Sequence, residues 1–434
     1  MDYNIKINLN GIKEIIWPIY FLSLVKLLTK MSNERLFVVY VLLVIFLAFY
    51  TKKITIPQIS GLGGYLFFIV YSSVIGFFVY PLRDVARDIF YFIPSVVVII
   101  MGYYMFLYYG GKKSLVKTYA LIGATYSTFV FFRVFPRLGE VKDMESLRRL
   151  FDYVEYEVAI VFVIIFYYIV IKKQWLFGKV FDIYTIIIMG AHLILTLERS
   201  VWIGVGVGCF ILIIVPGIYG KKNLLKTMTR SVLISGLFAI AIILAFNFLP
   251  DTVSDTLTDK FLSTSNEISS VRTFNSSGDA QENWRGYEIY CAKKQWKESS
   301  GLAMIFGEGM GRGTKIQFVP DAFKDYIVGR QIPLLHNAYY TILPKGGIFG
   351  VCVFIWFFLA NIHLAIKTYR KKIFFESEAV TLMAIIMVFM IQAYVVRGPV
   401  GQEVTCSWAL YIGWINAALK KSNFRTQKEQ TCLE

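Results

Sequence analysis

"SVWIGVGVGCFILIIVPGIY" (Ser200–Tyr219) contains no charged residue, and "GKKNLLKTMTR" (Gly220–Arg230) follows it at once. A helix needs roughly 20 mainly apolar residues to cross a bilayer, so this stretch reads as a membrane span ending in a lysine-rich turn. Working outward, similar runs recur at 14–29, 36–50, 62–81, 90–110, 115–132, 157–171, 180–198, 231–249, 338–362, 378–396 and 404–419. With 200–219 they make twelve expected spans. The first carries Lys26 and a possible kink at Pro18, and the second is short. The expected fold class is therefore an all-α polytopic membrane protein of about 12 transmembrane helices.

Composition supports this class. The chain is 56% hydrophobic and 17% aromatic, with a mean hydropathy of +0.58, too apolar for a soluble domain of this length. The formal charge of +16 does not point to nucleic acid here, because Lys and Arg at helix ends set topology and meet anionic headgroups. Five cysteines lie far apart, at 209, 291, 352, 406 and 432, which argues against a disulfide framework or a zinc site. No HExxH motif or outward Asp-x-Asp pair implies a metal, and no cofactor is expected. "MDYNIKINLNGIKEII" lacks a small-residue cleavage site, so no removable signal peptide is expected.

The short loops orient the spans. "TKK" (51–53), "GGKKSLVK" (110–117), "KKQWLFGK" (172–179), "GKKNLLKTMTR", "KTYRKK" (367–372) and "KKSNFR" (420–425) are rich in lysine. The positive-inside rule assigns them to the cytoplasm. Both termini are then expected inside, and the long segment 250–337 outside. The expected organisation is 1–249, transmembrane with short loops; 250–337, one large outer loop; and 338–434, further spans and a tail.

This orientation separates the two kinds of cation. Nineteen of 29 lysines fall inside, but 13 of 16 arginines fall on or near the outer face, among them Arg83, Arg87, Arg199, Arg285, Arg312 and Arg397. Topology needs only charge. Arginine adds a planar fork that grips phosphate at two points. The bland alternative is chance combined with snorkelling to headgroups.

The outer polar segments divide further. In "EVKDMESLRRLFDYVEYE" (140–157), Met144, Leu147, Phe151 and Val154 recur at helical spacing, so a short amphipathic surface helix is expected near 142–155. "WRGYEIYCAKKQWKES" (284–299) also reads as a helix, with Trp284, Tyr287, Cys291 and Ala292 on one face and Arg285 and Glu288 sharing another. "FGEGMGRGT" (306–314) lacks the order of a phosphate loop and reads as turns. In "YPLRDVARDIFYF" (80–92), Arg83 and Arg87 lie one turn apart beside Asp84 and Asp88. Local ion pairing and a phosphate-facing arginine pair are both open there.

Arg199 in "TLERSVWIG", Arg285 in "NWRGYEIY" and His336 in "LLHNAYYTILPKGGIFG" can reach one membrane level. A cation as deep as Arg199 is costly unless it is paired or faces a polar cavity. Two arginines could hold a departing diphosphate by electrostatics alone, while a histidine, titrating near neutrality, suits removal of a proton from an attacking hydroxyl. Alone, His336 reads first as a helix cap or a packing residue. His192 and His363 read as structural.

In this order, an arginine at a tight outer turn, "WR" in a long outer loop and "HNAYYTILPKGGIFG" (336–350) resemble the superfamily of O-antigen polymerases (Wzy-type) and O-antigen ligases. The likeness is most specific over roughly 180–360. It implies a GT-C-like helical bundle in the bacterial inner membrane, catalysing metal-independent glycosyl transfer on the periplasmic side. The implied donor is an undecaprenyl-diphosphate-linked glycan and the acceptor a second glycan, with membrane lipid around both. A chain-length regulator protein is a further candidate partner. By the same likeness, Arg199 and Arg285 would contact diphosphate and His336 would activate the acceptor. Arg83 and Arg87 are expected to support the diphosphate.

Polymerase and ligase would share these residues. The Ile-, Lys-, Tyr- and Asn-rich composition suits an AT-rich polysaccharide gene cluster and favours the polymerase reading. A lipid-linked oligosaccharide flippase is the non-enzyme alternative. It fits less well, because the expected spans hold few ionisable residues near mid-bilayer.

Overall fold

The computed structural model describes residues 13–29, 31–51, 57–110, 113–140, 150, 155–196, 198–219, 229, 236, 273–319, 330–370, 376–395, 397, 398, 400, 401 and 406–431. The expected span 231–249 and the expected amphipathic helix near 142–155 lie largely or wholly outside these residues.

The described chain is almost entirely helical. Apolar helices are α1 (Trp17–Thr29), α2 (Asn33–Tyr50), α3 (Leu62–Val79), α4 (Leu82–Tyr109) and α5 (Ser114–Val134). Next come α6 (Glu155–Phe166), continued by a π turn, α7 (Lys179–Leu195) and α8 (Arg199–Tyr219). A polar lobe holds α9 (Ser277–Glu282), α10 (Trp284–Glu298), α11 (Gly301–Phe306) and an antiparallel pair, β1 (Thr314–Lys315) with β2 (Gln331–Ile332). The chain closes with α12 (Ala338–Arg370), α13 (Glu376–Val395) and α14 (Cys406–Thr431).

Among the described residues, six helical stretches are long and apolar enough to cross a membrane: Leu62–Val79, Leu82–Tyr109, Ser114–Arg137, Arg199–Ile218, Ala338–Arg370 and Glu376–Val395. Their outward faces are apolar too. Phe78 is 87% and Phe132 76% exposed, which a water-facing surface would disfavour and a lipid-facing one accepts.

Inside the bundle, lipid tails offer no hydrophobic contrast, so close packing holds the helices together. Gly102 of α4 faces the Leu410 carbonyl of α14, and Gly413 of α14 faces the Ile99 carbonyl of α4, where a methyl group at either position would overlap backbone. Small residues thus let these two helices touch main chain to main chain. Phe106 packs edge-on against Trp414 along the same seam.

Polar contacts gather at the helix ends. At one end Asn416 donates to Asn361 (2.7 Å), Asn361 to the Ser60 carbonyl (2.9 Å), and the Ser60 amide back to Asn416 (3.0 Å). Lys117 pairs with Glu14 at that same end (3.1 Å). The other end carries the lobe.

The lobe is plugged into the bundle. Helix α12 bends where Gly347 adopts φ 61°, just past Pro344. The bend leaves the carbonyls of Pro344 and Lys345 accessible, and they accept the amides of Glu308 and Gly309 (2.9 and 3.0 Å). Met310 then donates to the Ser72 carbonyl of α3 (2.8 Å), and Gly311 to Asp88 of α4 (2.7 Å). Positive φ at Gly307, Gly309 and Gly311 (77°, 94° and 95°) permits this succession of turns. The glycine-rich stretch is an anchor built of turns, as its sequence suggested.

Candidate functional site

The lobe has its own small core of Phe274, Ala280, Tyr287, Cys291, Ala292, Ile316, Ile332 and Leu335. Tyr287 fixes it by accepting the amides of Gln317 and Phe318 (2.8 and 2.6 Å). Burial pushes its phenol up to about 12. Burial likewise raises the Cys291 thiol above its ordinary range, which removes it as a nucleophile.

This core holds α10 against the start of α12, and there the site forms. Glu288 of α10 is 2% exposed. Its carboxylate accepts the backbone amide of His336 (2.8 Å) and lies 3.0 and 3.1 Å from the imidazole Nδ1. An ionised carboxylate only accepts, so Nδ1 is the nitrogen that carries hydrogen. In the neutral imidazole Nε2 then keeps its lone pair, and the His336 side chain is 32% exposed. An acid holds a histidine in one tautomer and one orientation, the arrangement required of a general base.

His336 does not cap α12. That task falls to Asn337, whose side-chain oxygen accepts the amide of Tyr340 (3.2 Å). Thr341 reinforces the turn by accepting from Leu335 (3.0 Å) and donating to the Asn337 carbonyl (3.0 Å). The neighbour's capping frees the histidine for other work.

The arginines are placed as follows. Arg285 is exposed, one turn before Glu288 on α10. Arg199 opens α8 and is half-buried. The turn before it is tightened by Ser200 donating to Glu198 (3.0 Å) and by the Trp202 indole donating to the Leu193 carbonyl (2.7 Å). Helices α8 and α13 run antiparallel, with Gly208 against Val388 and Gly204 against Val388 and Gln392. Continuing that register brings Arg199 level with the segment carrying Arg397, whose amide donates to the His336 carbonyl. Arg199 and His336 therefore share one end of the bundle.

Arg83 and Arg87 stand beside a different cluster. Arg87 pairs with Asp84 (2.9 Å) and Asp88 (3.2 Å), while Arg83 is exposed. Asp88, fully buried, also receives Lys345 of α12, and that ammonium donates to the Arg312 carbonyl. Arg312 in turn pairs with Glu308 (3.2 Å). For Arg87 this is the local ion pairing that the sequence left open.

Sequence reasoning singled out His336 but missed its partner. It put Glu288 on a polar face with Arg285, yet the lobe buries the acid. The readable signal was a carboxylate between Tyr287 and Ile289, both of which the lobe buries.

Fold and site together define an all-α membrane protein with a buried carboxylate–histidine pair at one end of the bundle. Residues 184–355 match the family described as O-antigen ligase, a stretch that includes Arg199, Arg285, Glu288 and His336. The match supports the superfamily of O-antigen polymerases and ligases, whose members are glycosyltransferase-like enzymes acting on lipid-linked glycans. The chain has no match among curated proteins.

Proposed function

We propose that the chain is an O-antigen polymerase of the bacterial inner membrane, joining undecaprenyl-diphosphate-linked oligosaccharide repeat units on the periplasmic face. The observation that carries this reading is the Glu288–His336 pair, with Nε2 open at the end of the bundle that also holds Arg199. Nε2 takes the proton of the acceptor hydroxyl as its oxygen attacks the anomeric carbon of the donor. The bond from that carbon to the diphosphate oxygen breaks, and the diphosphate leaves with the electron pair. Its growing negative charge is met by Arg199 and Arg285, a charge stabilisation that needs no metal. Arg83 and Arg87 serve the same diphosphate from farther out, Arg87 only by giving up Asp84. Glu288 touches no reacting atom. It positions the base.

In this reading residues 1–249 and 338–434 form the bundle and 250–337 the periplasmic loop, with both termini cytoplasmic. The second reading is an O-antigen ligase, passing the glycan to lipid A–core, and the family match fits both readings alike. One deletion in the native host separates the two. Loss of a polymerase leaves lipopolysaccharide with a single repeat unit. Loss of a ligase leaves none attached while lipid-linked polymer accumulates. Restoration of full glycan by Arg199→Ala, Arg285→Ala and His336→Ala alike would overturn the catalytic assignment.

A further inference from the structure

Three buried donors near His336 lack an acceptor among the described residues: Nδ2 of Asn337, Nε2 of Gln392 and Nε of Arg397. Asn337 and Gln392 are 2% and 3% exposed. A buried donor without a partner forfeits its hydration with no return, and native structures keep few of them. Here three occur together. Asn337 follows His336 directly, and Arg397 is tied to the His336 carbonyl by its own amide. Gln392 lies about a turn before Arg397 in sequence, facing Gly204 of α8. Helices α12 and α13 meet at this level, where the Tyr339 hydroxyl donates to the Met390 carbonyl (3.1 Å).

The backbone adds a second sign. Arg397 adopts φ 75°, a region that costs a side chain with a Cβ and is kept where the surroundings impose it, commonly at ligand sites. Gly398 follows with φ 51° and packs on the backbone of Ala393, where a methyl group would clash. The chain thus folds tightly back over the end of α13, and the position of Arg397 is set.

The orphaned groups are all donors, and Arg199 stands at their level. What would satisfy them is a group that only accepts hydrogen bonds and carries negative charge. We infer that Asn337, Gln392 and Arg397 complete, with Arg199, a binding pocket for the diphosphate of the lipid carrier. This rests on the glycosyl-transfer reading above and adds to it residues that lie partly outside the matched stretch 184–355. Arg397 contributes a guanidinium beside the base, and the two amides contribute neutral donors that hold oxygen without fixing a proton.

The test uses the full chain in phosphatidylcholine nanodiscs, titrated calorimetrically with inorganic diphosphate. Arg397→Gly accepts the positive φ and so keeps the fold, which its melting temperature checks. It should weaken diphosphate binding by about 10- to 100-fold, the usual worth of a hydrogen bond to a charged group. Gln392→Leu should weaken it by a smaller factor, and Arg397→Lys should recover part of the loss. Unchanged affinity in Arg397→Gly and Gln392→Leu overturns the inference, as does a wild-type chain that takes up no diphosphate. Phosphatidylglycerol nanodiscs provide the other arm. If they weaken wild-type binding to the Arg397→Gly level, the occupant is a lipid headgroup and the inference fails. Because binding is read without turnover, a failed pocket and a failed catalytic reading, the latter judged by complementation, stay distinct.

Discussion

Two pairs stand where the polar lobe meets the bundle, and they differ in what they leave over. Asp88 and Lys345 are 0% and 1% exposed. Asp88 takes the Lys345 ammonium, the Gly311 amide and Arg87, while Lys345 also binds the Arg312 carbonyl. These bonds all run to the protein itself, so the pair is a fastening. Glu288 is buried as deeply, but its partner His336 is one-third exposed and is held through one ring nitrogen only. The carboxylate's capacity goes into orienting a group whose other nitrogen faces outward. Saturation marks the structural pair, and a deliberate remainder marks the candidate site.

This contrast can be broken by mutation, beginning with the histidine. His336→Asn should lower glycan synthesis by about 10²- to 10⁴-fold, the usual share of a general base, with unchanged membrane abundance on immunoblots. Glu288→Gln should follow at about 10²-fold, because an amide can offer hydrogen to Nδ1 and select the wrong tautomer. Full complementation by Glu288→Gln would reduce that pair to another fastening.

The other pair should fail differently. Asp88→Ala leaves Lys345 buried without its counter-charge and should cost about 3–5 kcal/mol, read as a lower melting temperature in detergent and less protein in the membrane. Asp88→Leu combined with Lys345→Met should recover most of that stability. If the double variant instead abolished glycan synthesis while melting normally, the cluster would belong to the chemistry. The smallest effect is expected at Arg87. Arg87 is about one-third exposed, and Asp88 keeps Lys345 and the Gly311 amide without it, so Arg87→Ala should cost about 0–1 kcal/mol and change synthesis only a few-fold. A large loss of synthesis at normal stability would give Arg87 a leading share in holding the diphosphate.

Much of this was legible in the chain. Apolar runs such as 200–219 appear as helices because the 3.6-residue repeat and the absence of charge act locally. Asn337 could have been recognised as the cap, since the side-chain oxygen of Asn reaches the amide three residues on within one turn. Rarity drew notice to His336. Its partner stayed hidden because Glu288 lies 48 residues away, and nothing local says which face of α10 the lobe will bury. The same holds for Asp88 and Lys345, 257 residues apart. Lys345 reads as a span-end lysine until the bend at Gly347 and the glycine-rich stretch close around it.

By itself the sequence determined the helical membrane class and a histidine worth questioning. These follow from hydrophobicity and local geometry, which each segment carries alone. Only the tertiary structure decided which acid holds the histidine, which nitrogen is open and which donors lack an acceptor. Those outcomes depend on where distant helices meet, and burial there changes what a charge costs and what a hydrogen bond is worth.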